Sequence, residues 1–164
     1  FLNEWYPLSF SFAEDPLQRV YRQYDRQAYW NLLIQVRNEV NKAIEKLRIV
    51  GELGSSLEAE VELYVKAGSQ LFNILAALGE ELRFVLITSE AKLLTINPPK
   101  QATHLKINAE ELALNIISTV GKKTKCARCW HRLADVGQDV KHPDICLRCV
   151  DNLPDGKGET RVYA

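Results

Sequence analysis

Apolar residues recur every three or four positions from residue 26 to about residue 50. Trp30, Leu33, Ile34, Val40, Ile44 and Leu47 fall along one side of a helical repeat, which predicts a helix with a single apolar face. Arg37 and Asn41 interrupt that face; an internal hydrogen bond or salt bridge is their expected use, with a polar role toward a ligand as the alternative. Gly51 and Gly54 follow as stop signals. The period then drops to two. Leu57, Ala59, Val61, Leu63 and Val65 alternate with Glu58, Glu60, Glu62, Tyr64 and Lys66, which predicts a half-buried strand whose acidic side faces water. A second helix is expected over residues 70–87, interrupted near Gly79, with Leu71, Leu75, Leu78, Leu82 and Val85 inward. Shorter alternations at residues 91–96, 104–109 and 112–120 predict further strands, the first closed by Pro98 and Pro99.

These elements make an α+β chain: a small helix/strand domain over residues 26–120, followed by a distinct module over 121–164. Beyond Gly121 the apolar residues thin out, so the module needs a staple other than a conventional core. Residues 1–25 mix Trp5, Tyr6, Pro7 and Pro16 without a period and are expected to be an irregular lead-in. At 164 residues and 46% hydrophobic content the chain can bury one ordinary core plus an appendage. Its longest apolar stretch, residues 71–79, is too short to cross a bilayer, and residues 1–10 lack a basic start before an apolar run. A soluble, unsecreted chain is expected. Methionine is absent and the numbering opens at Phe1, so a fragment of a longer protein is expected.

All four cysteines lie between positions 126 and 149. They form CARC, a loop of sixteen residues, and CLRC, the spacing of a structural zinc site. Each C-x-x-C is a tight knuckle that points two sulfurs at one place. Cys126, Cys129, Cys146 and Cys149 are therefore expected to hold one Zn2+ in a zinc-ribbon-like module. Four protein ligands leave no open position, so the metal orders the chain and does no chemistry. Structural zinc contributes roughly 10–16 kcal/mol of apparent binding energy, coupled to folding. Disulfides suit a secreted chain, and a redox pair needs a single C-x-x-C opening a helix after a strand. His131 and His142 lie in the loop, but four cysteines already fill the shell.

The formal charge is zero, yet its distribution is uneven: 10 basic and 13 acidic residues precede Lys100, and 11 basic and 8 acidic residues run from Lys100 onward. Residues 122–132 hold Lys122, Lys123, Lys125, Arg128 and Arg132 with no acid. That patch seeks an anion. Arg128, Trp130, His131, Arg132 and Arg148 stand in or beside the knuckles, where an indole flanked by guanidinium groups suits single-stranded RNA. Trp130 has an alternative use, packing over the metal as a mini-core with the arginines solvated. No Gly-rich phosphate loop occurs, and no nucleophile–base pairing can be drawn without dismantling the cysteine cluster, so no catalytic residue is assigned.

Taken together, WNLLIQVRNEVNKAIEKLR at 30–48, GSSLEAEVELY at 54–64, GEELRFVLITSEA at 79–91 and KCARCWHRLADVGQDVKHPDICLRCV at 125–150 resemble the C-terminal region of bacterial isoleucyl-tRNA synthetase. The helix and the GSSLEAEV strand are similar to those of the valine and leucine relatives; CARCWH followed by CLRC is typical of the isoleucine enzyme. The resemblance implies a cytoplasmic, monomeric ligase that joins isoleucine to tRNA-Ile with ATP and Mg2+. It also implies that the catalytic signatures His-Ile-Gly-His and Lys-Met-Ser-Lys-Ser, missing here, lie in other domains of that ligase. This segment would then bind the anticodon region, with RNA contacts from Trp130, Arg128, His131, Arg132, Arg148 and Lys125. Residues 98–111 match the family pattern poorly. The zinc-finger tail of a formamidopyrimidine-type DNA glycosylase and a free-standing zinc ribbon for protein contact are the alternatives. The first would require an N-terminal Pro-Glu and a helical DNA-binding unit, in place of Phe1-Leu2 and a strand-rich stretch before Cys126.

Overall fold

The computed structural model describes residues 26–158. The lead-in expected over residues 1–25 lies outside the described residues.

Helix α1, Arg26–Ile49, buries Tyr29, Leu32, Leu33, Val36, Val40 and Ile44. This stripe is rotated from the expected one. Ile34, expected inward, is half exposed, because it lies one residue and so about 100° round the helix from Leu33, outside the arc that Tyr29, Val36 and Val40 centre. Asn41 is exposed rather than buried against the core. The helix ends in a Schellman arrangement: the Glu52 N–H donates to the Leu47 carbonyl (2.9 Å) and the Gly51 N–H to that of Arg48 (3.0 Å). Gly51 takes φ +78°, which a glycine adopts without Cβ strain.

After a 3-10 turn over Ser56–Glu58, strand β1 runs over Ala59–Val65. Helix α2, Gln70–Leu78, follows, then a 3-10 turn at Gly79–Glu81 and the short helix α3, Leu82–Leu86. The expected interruption near Gly79 is that turn. Two acceptors hold the start of α2. Ser69 caps the Phe72 N–H (3.0 Å), and the Glu110 carboxylate accepts the N–H groups of Gln70 (3.1 Å) and Leu71 (2.9 Å), where a negative charge also suits the helix dipole.

Strands β2 (Glu90–Leu94), β3 (Thr103–Ile107) and β4 (Glu110–Ser118) complete a four-stranded sheet in the order β2-β1-β4-β3. β1 is parallel to β2 and antiparallel to β4, and β3 and β4 form a hairpin. Asn108 and Ala109 turn that hairpin with φ +47° and +67°. Val61, Leu63, Leu112 and Leu114 on the inner face join α1, α2 and α3 in one apolar core.

The outer face of β1 overturns the expectation of an acidic side in water. Glu58, Glu60 and Tyr64 are all buried. Tyr64 is covered by Ala102 and Leu94, which close over that end of the sheet. Between these ends, Glu62 accepts hydrogen bonds from the Tyr64 hydroxyl (2.6 Å) and the Asn115 amide (2.8 Å). Those two bonds, the Tyr64 one foremost, hold the Glu62 pKa below the usual carboxylate range against the effect of burial.

The same bond pushes the Tyr64 pKa up to about 12, with burial adding to it. The raised value stabilises the fold while the phenol stays neutral, fully so below the unfolded pKa of about 10, and that contribution is lost as pH rises through about 12. In an ultraviolet pH titration, the difference between the parent and Tyr64→Phe should therefore show one phenol ionising near 12. Glu62→Gln should move it back toward about 10.

Candidate metal centre and the seam beneath it

Gly121, at φ +75°, turns the chain out of the sheet toward the cysteines. A two-stranded hairpin opens the next segment, β5 (Thr124–Lys125) pairing with β6 (Arg132–Leu133), and helix α4 (Leu147–Asp151) closes it. Cys126 and Cys129 lie on the turn of the hairpin; Cys146 caps the start of α4 and Cys149 sits within it. The Asp135 carboxylate accepts the Leu147 N–H at 3.0 Å, and the Ala127 N–H donates to the Asp144 carbonyl at 2.9 Å. These bonds bring the two knuckles face to face.

The four sulfurs lie within 4.8 Å of one another, with Cys126–Cys149 and Cys129–Cys146 separations of 3.7 Å. A metal about 2.3 Å from each corner of a tetrahedron sets its sulfurs about 3.8 Å apart. A disulfide needs about 2.05 Å, so the cysteines are free and placed to hold one metal ion. Burial opposes charge on the Cys126 sulfur, but the N–H groups of Cys129 (3.5 Å) and Cys146 (3.4 Å) face it and bring its pKa down to about 6. Burial pushes Cys146 up to about 11 and Cys149 up as well. One sulfur is thus ready as a thiolate, while others must lose a proton to the incoming metal.

Trp130 follows the second cysteine of the first knuckle. Its N–H donates to the Cys126 carbonyl at 3.0 Å, and its φ is +65°, a left-handed conformation uncommon for a bulky side chain. The chain reverses there, and the indole is left 62% exposed. It is not the mini-core of the module; Leu133, Val136 and Ile145 pack against the cysteines instead.

Most of the basic residues singled out by sequence turn inward. The Arg132 guanidinium reaches Glu58 Oε1 from Nε (3.2 Å) and Nη2 (2.9 Å), and its Nη1 donates to the Lys123 carbonyl (3.2 Å). The Arg132 N–H donates to Ser89 Oγ (2.9 Å), and that hydroxyl donates in turn to the Leu57 carbonyl. Lys123 Nζ pairs with Glu60 and with Glu90, the latter at 3.0 Å. Arg148 lies over the Phe84 ring, 5.1 Å from its centroid, and buried His131 meets that ring edge-on at 6.4 Å. Arg128 donates to the Cys149 and Asn152 carbonyls at the end of α4 (2.8 and 3.1 Å), and Lys125 Nζ lies 3.9 Å from Glu58. The expected free basic patch is therefore in large part a seam joining the metal module to the sheet.

Sequence reasoning passed over the sheet side of this seam: Glu58, Glu60, Glu90, Ser89 and Phe84. The available signal was one of complement, three acids at alternate positions of a central strand and eleven residues near the cysteines with no acid. Burial disfavours the charged form of Glu58. Hydrogen bonds from Arg132 and from the Gly54 N–H (3.0 Å), with the charges of Arg132 and Lys125, outweigh it and hold its pKa below the usual range. Glu90 is lowered the same way by Lys123 and Lys92, and Lys123 is raised by Glu60 and Glu90 against its own burial.

Residues 124–152 match the family described as "Zinc finger found in FPG and IleRS". The chain is 41% identical over 163 residues to the isoleucine–tRNA ligase of Methylococcus capsulatus, covering 99% of this chain and 16% of that protein. It is 42% identical over 165 residues to that of Shewanella sp. strain MR-4, covering 100% and 16%. Against the Coxiella burnetii strain RSA 331 enzyme it is 48% identical over 140 residues, covering 85% and 14%. Along its whole length the chain is similar to isoleucine–tRNA ligase. It spans about 16% of the length of the first two of these ligases. The zinc-finger match and the sulfur geometry together identify the metal as one structural Zn2+. Among the described residues no helix is long and apolar enough to cross a membrane.

Chelation of the metal should loosen residues 124–152 while β1 to β4 keep their protection, read by amide hydrogen exchange. Because thiols must ionise on binding, apparent zinc affinity should rise as pH is raised from about 6 to about 8. A pH-independent affinity would contradict the thiolate assignment.

Proposed function

We propose that this chain is the C-terminal, tRNA-binding part of a cytoplasmic, monomeric isoleucine–tRNA ligase. In this reading it holds the anticodon region of tRNA-Ile while other domains join isoleucine to the tRNA with ATP and Mg2+. Cys126, Cys129, Cys146 and Cys149 are the zinc ligands, and their role is to display what stands beside them.

The observation that carries the reading is the exposed indole of Trp130 on a metal-fixed knuckle. A large aromatic left 62% exposed offers a base an open face on which to stack, and Trp brings much contact area for only two side-chain torsions. The anticodon loop of a tRNA presents such unstacked bases. Lys122, Lys125 and Arg128 stand exposed on the same segment and supply charge for the phosphates. The similarity to isoleucine–tRNA ligases along the whole chain supports tRNA-Ile as the partner.

Base–aromatic stacking contributes about 1–3 kcal/mol per base. In the intact ligase, Trp130→Ala should accordingly weaken tRNA-Ile binding by roughly 5- to 150-fold, and Trp130→Phe should keep most of the affinity. A tRNA altered only in its anticodon should lose the distinction between parent and Trp130→Ala. Arg128→Ala and Lys125→Ala should each flatten the salt dependence of binding by about one unit of slope. Equal tRNA affinity for parent and Trp130→Ala would overturn the reading.

A further inference from the structure

We propose that Arg132 is a positioning residue. Through Glu58 at the head of β1 it fixes the direction in which the knuckle presents Trp130, so the sheet aims the ring and the metal alone does not. The proposal rests on the reading that Trp130 meets RNA.

Zinc fixes four sulfurs relative to one another. It says nothing about how the module stands on the rest of the chain. The covalent link is a short turn between Ser118 and Thr124, held by Lys122 and Lys123 N–H bonds to the Thr119 carbonyl at 3.0 and 3.2 Å. With that link alone the module would swing about Gly121.

Arg132 removes that freedom. It lies two residues after Trp130, and its backbone and side chain grip different parts of the sheet. The N–H reaches Ser89, just before β2; the guanidinium reaches Glu58, just before β1. The other oxygen of Glu58 accepts the Gly54 N–H, so the carboxylate is itself held and cannot follow a moving partner. A Cβ at Gly54 would stand 3.0 Å from that oxygen, so a larger residue there would require the carboxylate to shift by a few tenths of an ångström. Lys123, paired with Glu60 and Glu90, is a second latch on the near side of the hairpin. The Arg132 side chain is 19% exposed and that of Glu58 10%. A guanidinium so enclosed faces a carboxylate and a carbonyl rather than a phosphate.

The two roles open to Arg132, aiming and direct contact, differ in what Glu58 does. If Arg132 aims Trp130, loss of the Glu58 charge must harm tRNA binding too, although Glu58 would repel RNA. In the intact ligase, Glu58→Gln and Arg132→Gln should each raise the KM for tRNA about tenfold with kcat within about twofold and one zinc per chain retained. Arg132→Lys, which keeps the charge but cannot span Glu58 and the Lys123 carbonyl together, should fall between. The Arg132 amide should exchange faster in Glu58→Gln than in the parent, a reading that needs no tRNA.

If Arg132→Gln raises KM while Glu58→Gln leaves both KM and exchange unchanged, Arg132 touches RNA itself and the proposal is overturned. Trp130→Ala in the same assay separates the two ideas. Unchanged tRNA KM for Trp130→Ala with accelerated exchange in Glu58→Gln would defeat the RNA-contact reading and leave Arg132 positioning the module. Unchanged exchange in Glu58→Gln would defeat the positioning role whatever Trp130 does.

Discussion

A carboxylate buried at the start of a central strand must be paired to remain charged, and Glu58 is that carboxylate. Its two oxygens divide the work. One accepts the Gly54 N–H and so closes the loop that follows α1; the other receives Arg132 from the metal module. Removing one partner of such a largely enclosed pair leaves the survivor unpaired, and that is the main cost of the loss. The joint between sheet and module is therefore sensitive to single changes even though the sheet has an ample apolar core of its own.

Two kinds of constraint meet in residues 121–158, and they do different things. The cysteines set internal shape: the sulfur spacing is that of a closed tetrahedron, with Leu133, Val136 and Ile145 the main apolar residues beside it. The seam sets placement. It combines charge pairs at Glu58, Glu60 and Glu90 with a ring, Phe84, that meets Arg148 and His131. Charge pairs demand particular partners, whereas an aromatic face accepts many, so the acids give the seam its register and Phe84 adds contact area. A module too small to bury a core is thus ordered by metal inside and by charge outside.

What could be read from sequence followed local spacing. The helix stops at Gly51, the break near Gly79, the strand through Val61 and Leu63 and the two knuckles all depend on residues a few positions apart, and their signals were present as such. What escaped depended on distant residues. Glu58 and Arg132 are 74 positions apart, and alternation along β1 cannot tell an acid facing water from one facing an arginine. For the same reason the face of α1 was rotated: Ile34 and Leu32 are equally apolar, and only the sheet beneath the helix decides between them. Trp130 could be weighed but not settled, because core and display call for the same residue.

That residue now has a physical account on both sides. Its positive φ turns the chain so that the indole leaves the metal, and the apolar residues near the sulfurs come from the later part of the loop instead. Two residues on, Arg132 turns the other way, into the sheet. A left-handed residue between a knuckle and a strand lets side chains two positions apart serve opposite surfaces, one presented outward and one anchoring inward. The basic stretch of 122–132 therefore divides by burial: Lys123 and Arg132 are enclosed against buried acids, while Lys122, Lys125 and Arg128 are exposed, Lys125 at the edge of the Glu58 pair and Arg128 on the carbonyls that end α4. Charge counted along the sequence overstates the field available to a polyanion, since part of it is cancelled at the seam. In the proposed reading, recognition would then lean on the exposed indole of Trp130 more than on total charge.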